Sequence, residues 1–131
     1  MLATARLQTL VLTSDLGRAR AFYSDVLGLP LKGESLGALV YEVGGGDLRV
    51  SPAASFTRSE HTVFGFAVEQ IEGTADALAR RGVRPERFAQ FEADARGVCT
   101  APDGSRVLWL RDPDGNILSV VQYAAGSLTP A

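Results

Sequence analysis

One cysteine, one histidine, one tryptophan and one lysine in 131 residues leave several kinds of chemistry without material. A lone Cys99 excludes an intrachain disulfide and a thiolate zinc cluster. A lone His61 excludes any site that draws two histidines from one chain. Lys32 is the only lysine among 13 basic residues, no Lys/Arg run occurs, and 15 acidic residues bring the net charge to −2. The electrostatic footprint of a nucleic-acid or membrane-surface protein is therefore missing. No stretch approaches the roughly 18 consecutive apolar residues of a membrane helix. Met1 to Arg6 has neither the basic cluster nor the apolar run of a signal peptide. The expectation is a soluble, cytoplasmic protein with a frayed tail after Tyr123.

What is present reads as one folded domain, 1–131, with 46% hydrophobic and 21% charged residues. Residues 7–12 predict a strand. Ser14 or Asp15 then caps a helix reaching about Leu27, with Leu16, Ala19, Phe22, Tyr23, Val26 and Leu27 at helical spacing and Gly28 as its stop. Three short strands follow at about 30–34, 37–43 and 47–51, the last two joined by Gly44-Gly45-Gly46-Asp47, a strong hairpin signal. The order then repeats: a strand at 62–68, a helix at about 71–81 with an Asp76–Arg80 pairing, and a hairpin of 105–111 with 116–122 around Asp112-Pro113-Asp114-Gly115. Residues 83–104 hold one more strand and a loop carrying Phe88, Phe91 and Cys99.

The chain is thus α+β, two tandem βαβββ modules at about 5–53 and 60–123. Leu10 to Leu16 lies over Gly65 to Ile71 at an offset of 55, and Leu39 to Asp47 over Leu108 to Asn116 at an offset of 69. Neither copy alone supports a good core. Together they predict a curved mixed sheet, a cup, with the helices on its convex face and a cavity on its concave face.

Asp15-Leu16 with Ala21-Phe22-Tyr23-Ser24-Asp25-Val26-Leu27-Gly28-Leu29, and Arg111-Asp112-Pro113-Asp114-Gly115-Asn116, are similar to two signatures of one family. From Leu7 to Gln122 the chain resembles the vicinal oxygen chelate superfamily of glyoxalase I, extradiol dioxygenases, and fosfomycin- and bleomycin-resistance proteins. The resemblance implies paired βαβββ modules, often a homodimer, and a ligand cavity in each sheet cup. It also implies, in metal-using relatives, about four His, Glu or Gln ligands on symmetry-related strands, with open positions for adjacent substrate oxygens. The matching positions here are Gln8, Val63, Ser119 and Val50, or Arg49 if the triple glycine shifts the hairpin by one. Only Gln8 is a reasonable ligand. Valine has no donor, and a guanidinium repels a cation. No metal or other cofactor is expected unless the site is rearranged around Gln8, His61 and Glu42.

Strand parity gathers Gln8, Leu10, Leu12, Val40, Glu42, Arg49, Val63, Gly65, Val107, Trp109, Arg111 and Ser119 on the inner face. Trp109 is then a flat apolar platform, with Gln8, Arg49, His61 and Ser119 as polar anchors, a mixture typical of small-molecule sites. A single histidine near a strand end is more often a rim residue than a general base. Free cysteines are commonly small buried hydrophobes. The leading expectation is a protein that binds a small organic molecule without the divalent metal. A metal-dependent lyase, isomerase or dioxygenase with a rearranged site, and a structural or regulatory dimer with a filled cavity, are the alternatives.

Overall fold

Alternation along each strand decides which side chains enter the core. In β1 (Gln8–Thr13), Val11 and Thr13 are buried while Gln8 and Leu10 are exposed. A computed structural model describes residues 1–128. It orders β1, α1 (Leu16–Arg20), β2 (Leu31–Ser35), β3 (Ala38–Val43) and β4 (Gly46–Pro52), then β5 (Thr62–Ala67), α2 (Ile71–Arg80), β6 (Cys99–Thr100), β7 (Arg106–Arg111) and β8 (Ile117–Gln122). The expected tail after Tyr123 falls partly outside the described residues.

Both modules pair their strands alike. The sheets run β1-β4-β3-β2 and β5-β8-β7-β6; β1·β4 and β5·β8 are parallel and the other pairs antiparallel. The internal repeat is thus a repeat of topology. The fold is α+β, two βαβββ modules. Each is too small to hide both faces of its sheet, so it covers one face with helix. In the first module Val11, Leu39, Tyr41, Leu48 and Val50 take the covered side; in the second Leu108, Leu110, Leu118 and Val120 do so with Ile71, Ala75 and Leu78 of α2. Between Val43 and Gly46, which pair, Gly44 and Gly45 both take positive φ, as a two-residue hairpin loop requires. The hairpin shift anticipated for the triple glycine is present: Leu48 and Val50 are buried, and Arg49 lies on the other face beside Val40.

Two local expectations change. Asp15 caps the first helix by accepting from the Arg18 amide at 3.0 Å, but α-geometry ends at Arg20 and a π-helical turn, Ala21–Val26, continues it. There Leu27 N–H donates to Phe22 O at 2.9 Å, five residues back. The wider turn seats Tyr23 wholly inside the core, its hydroxyl donating to Asp112 Oδ2 at 2.7 Å. In α2, Asp76 pairs with Arg96 at 2.9 Å instead of with Arg80, because the following loop brings a guanidinium to it.

The chain divides into two compact units. Unit 1 comprises Met1–Ser59 together with Asp112–Asn116, the turn between β7 and β8; unit 2 comprises Glu60–Arg111 and the chain from Ile117 onward.

Candidate functional site

In unit 1 the two signature motifs meet. Asp112 Oδ2 accepts from Tyr23 and from Asn116 Nδ2 at 2.8 Å, while Oδ1 accepts from the Asp114 and Asn116 amides, both at 2.9 Å. Asp114 accepts from the Ser14 amide at 2.8 Å and hydroxyl at 2.6 Å, and from the Thr13 hydroxyl. Burial and the neighbouring Asp112 carboxylate push the Tyr23 phenol above its ordinary range. Burial works to raise the Asp114 carboxyl, but the bonds from Ser14 and Thr13 outweigh it and hold it below the usual value. The carboxylate oxygens of Asp112 and Asp114 are all taken by these internal bonds, so this pair serves to hold the fold together.

The open face of the unit 1 sheet is similarly self-satisfied. Arg49 donates to the Ser35 carbonyl at 2.7 Å. Glu42 and Asp47 accept from Arg6, at 3.3 and 2.8 Å, and Lys32 adds a second cation to Asp47 at 3.1 Å. Gln8 stands opposite Asp47, exposed at the end of β1.

Unit 2 differs. Leu108 and Leu110 face the core, so Trp109 between them presents its ring on the opposite face of β7. Trp109 pairs with Ser119 of β8 on one side, and its carbonyl accepts from the Glu86 amide at 2.8 Å on the other. Ser119 in turn pairs with Gly65 of β5, and a Cβ at Gly65 would collide with the Ser119 hydroxyl oxygen. The space beside Gly65 is therefore already filled by Ser119. Phe88 meets the Trp109 ring edge-on at 5.4 Å, and Phe91 stacks on it at 5.3 Å with planes 29° apart. Glu60, His61, Thr62, Gln90 and buried Ile117 complete, with these three rings, an open pocket of about 220 Å³.

Of the residues expected from sequence, the structure brings His61 and Trp109 to one pocket and places Ser119 beside Trp109 in the sheet. Gln8 and Arg49 belong to unit 1. Sequence reasoning missed Phe88, Phe91, Gln90 and Glu60. The available signal was two phenylalanines in a stretch, 84–96, otherwise poor in large apolar residues.

Cys99 is buried, and burial pushes its thiol up, away from the thiolate a nucleophile needs. Among the described residues no group of three or more His, Cys, Asp or Glu side chains is placed to hold a metal ion. No helix of the described residues is long and apolar enough to cross a membrane.

Residues 6–120 match the model of the Glyoxalase/Bleomycin resistance protein/Dioxygenase superfamily. The fold is similar to that of a glyoxalase family protein from Bacillus anthracis (16% identity, 92% of this chain and 96% of that one covered, TM-score 0.74). It is also similar to a glyoxalase/bleomycin resistance protein/dioxygenase from Alicyclobacillus acidocaldarius (17%, 92% and 92%, TM-score 0.68). A lactoylglutathione lyase from Agrobacterium tumefaciens aligns as well (22%, 96% and 98%, TM-score 0.65). At such identities the likeness concerns the fold. No protein of curated function matches the sequence.

Proposed function

The chain belongs to the Glyoxalase/Bleomycin resistance protein/Dioxygenase superfamily, and from that premise we propose that it binds a small organic molecule in the unit 2 pocket, without a divalent metal. The observation that carries this reading is the Trp109–Phe88–Phe91 cluster with His61 and Glu60 at one open cavity of about 220 Å³. A cavity of about 150 Å³ already admits a benzene ring. Apolar walls with a few convergent polar groups supply both burial and orientation, the composition small-molecule sites need. Trp109 gives the contact area, and His61 and Glu60 give a base and a carboxylate at the rim.

The donor set for a metal does not fit. Val63 has nothing to donate, Arg49 carries a positive charge and already serves Ser35, and the Glu42 carboxylate faces Arg6. A homodimer in the cytoplasm, without nucleic-acid or membrane partners, belongs to the same reading. It rests on the family habit, the near-neutral charge and the single cysteine.

The test combines metal content with ligand response. After dialysis the full chain is expected to hold no stoichiometric Ni, Zn, Mn or Fe. A panel of one- and two-ring aromatic compounds is expected to raise its melting temperature, and Trp109→Ala to abolish that rise. Stoichiometric metal that disappears in Gln8→Ala or His61→Ala would overturn the reading in favour of a metal-dependent lyase, isomerase or dioxygenase. Indifference to metals and to the whole panel would leave a structural or regulatory role.

A further inference from the structure

Phe91 stacks on Trp109 with one face and keeps 49% of its surface in solvent, so part of the ring lies open above the platform it covers. It sits on a flap with a pinned base. Arg87 Nη2 donates to the carbonyls of Asp94 at 3.0 Å and Ala95 at 3.2 Å, closing the chain on itself. Between those ends the Phe91 amide bonds only within the flap, to Phe88 O at 3.0 Å. The platform beneath is fixed by contrast, since Trp109 is held from both sides of β7 by Ser119 and Glu86.

We propose that Phe91 is a removable plug: it occupies the face of Trp109 that a ligand takes, and the ligand is a planar aromatic cation that stacks there by displacing it. Resting on the binding reading above, this adds the ligand class and the moving part. The class follows from the lining. Among the described residues the pocket wall contains three aromatic rings and the Glu60 carboxylate but no lysine or arginine. Aromatic faces and a carboxylate both attract positive charge. Size points the same way. With Phe91 in place the cavity of about 220 Å³ suits a small ring system; a broader flat ligand needs the area Phe91 covers. The flap supplies it by releasing one stacked pair, with the Arg87 hinge intact.

The experiment is calorimetric titration of the full chain with proflavine, a planar cation, beside neutral 2-naphthol and anionic naphthalene-2-sulfonate. A self-stacked plug competes with the ligand, so Phe91→Ala should bind proflavine about 3- to 10-fold more tightly than the parent. Phe91→Leu, which keeps bulk but loses the stack, should fall between the two. Without any ligand, acrylamide should quench Trp109, the only tryptophan, more strongly in Phe91→Ala. Glu60→Gln should weaken proflavine several-fold and 2-naphthol by a smaller factor. If Phe91→Ala weakens all three compounds, Phe91 is a wall of the site and the plug is overturned while the binding reading stands. If naphthalene-2-sulfonate binds the parent as tightly as proflavine does, the ligand class is overturned. If none of the three binds parent or variant, both the inference and the reading beneath it fail.

Discussion

The two modules place different residues at the same three sheet positions. In unit 1 a parallel pair, Leu10 and Arg49, is flanked by Val40; in unit 2 the corresponding pair is Gly65 and Ser119, flanked by Trp109. Arg49 reaches across to Ser35 and ties its own sheet together. Gly65 and Ser119 are small and leave the large ring of Trp109 standing beside them, where the pocket forms. At these three positions the duplicated scaffold has thus put a cross-link, Arg49 to Ser35, in one copy and an open aromatic ring in the other. Identical topology does not distribute chemistry evenly, because the exposed face of each sheet is free to vary once the covered face is packed.

That contrast can be broken. The largest effect is expected from Asp112→Ala, which strands the buried Tyr23 hydroxyl and removes the acceptor for Asn116. Urea unfolding should show a loss of about 2–4 kcal/mol, the cost of leaving buried polar groups unpaired. Gly65→Ala comes next. The new methyl meets the Ser119 hydroxyl, and about 1–3 kcal/mol of overpacking should follow. Ser119→Gly in the same chain should recover part of that loss, since the Ser119 carbonyl remains 2.9 Å from the new Cβ. No recovery would show that the cost lies in the backbone.

Acid sharpens the comparison on the unit 1 side. The folded Asp114 carboxyl lies below its ordinary value, so it adds stability above the unfolded pKa of about 3.9 and loses it as pH falls through the lower folded value. Asp114→Asn should therefore flatten the decline of the urea midpoint below about pH 4. An unchanged acid slope would remove Asp114 from that account. The smallest change is expected from Arg49→Ala, one exposed bond to a carbonyl, worth about 0.5–1 kcal/mol in the same assay. It should leave binding in the unit 2 pocket untouched.

Much of this was legible in the residue pattern, for a definite reason. Alternation alone sets Leu108 and Leu110 on the helix-covered face and Trp109 on the opposite one, and parts Arg49 from Leu48 and Val50. The π turn was not legible, because the spacing of Phe22, Tyr23, Val26 and Leu27 suits an α-helix as well. Phe88 and Phe91 were not legible as partners of Trp109, since no period governs a loop, and only chain closure by Arg87 and the turn at Phe88 aims them. Asp76 chose Arg96 over Arg80 for the same kind of reason. What is local in sequence could be read, and what depends on distant loops returning could not.

The discontinuity of unit 1 bears on how the protein is made. Its buried tyrosine waits for an acceptor 89 residues further along the chain, and Ser14 waits 100 residues for Asp114. Closing loops of that length is entropically costly and slows folding. During synthesis the first module cannot complete its core until the turn at Asp112–Asn116 has left the ribosome. A chain cut after Ser59 would therefore contain every strand and helix of that module and still lack the residues that satisfy its interior.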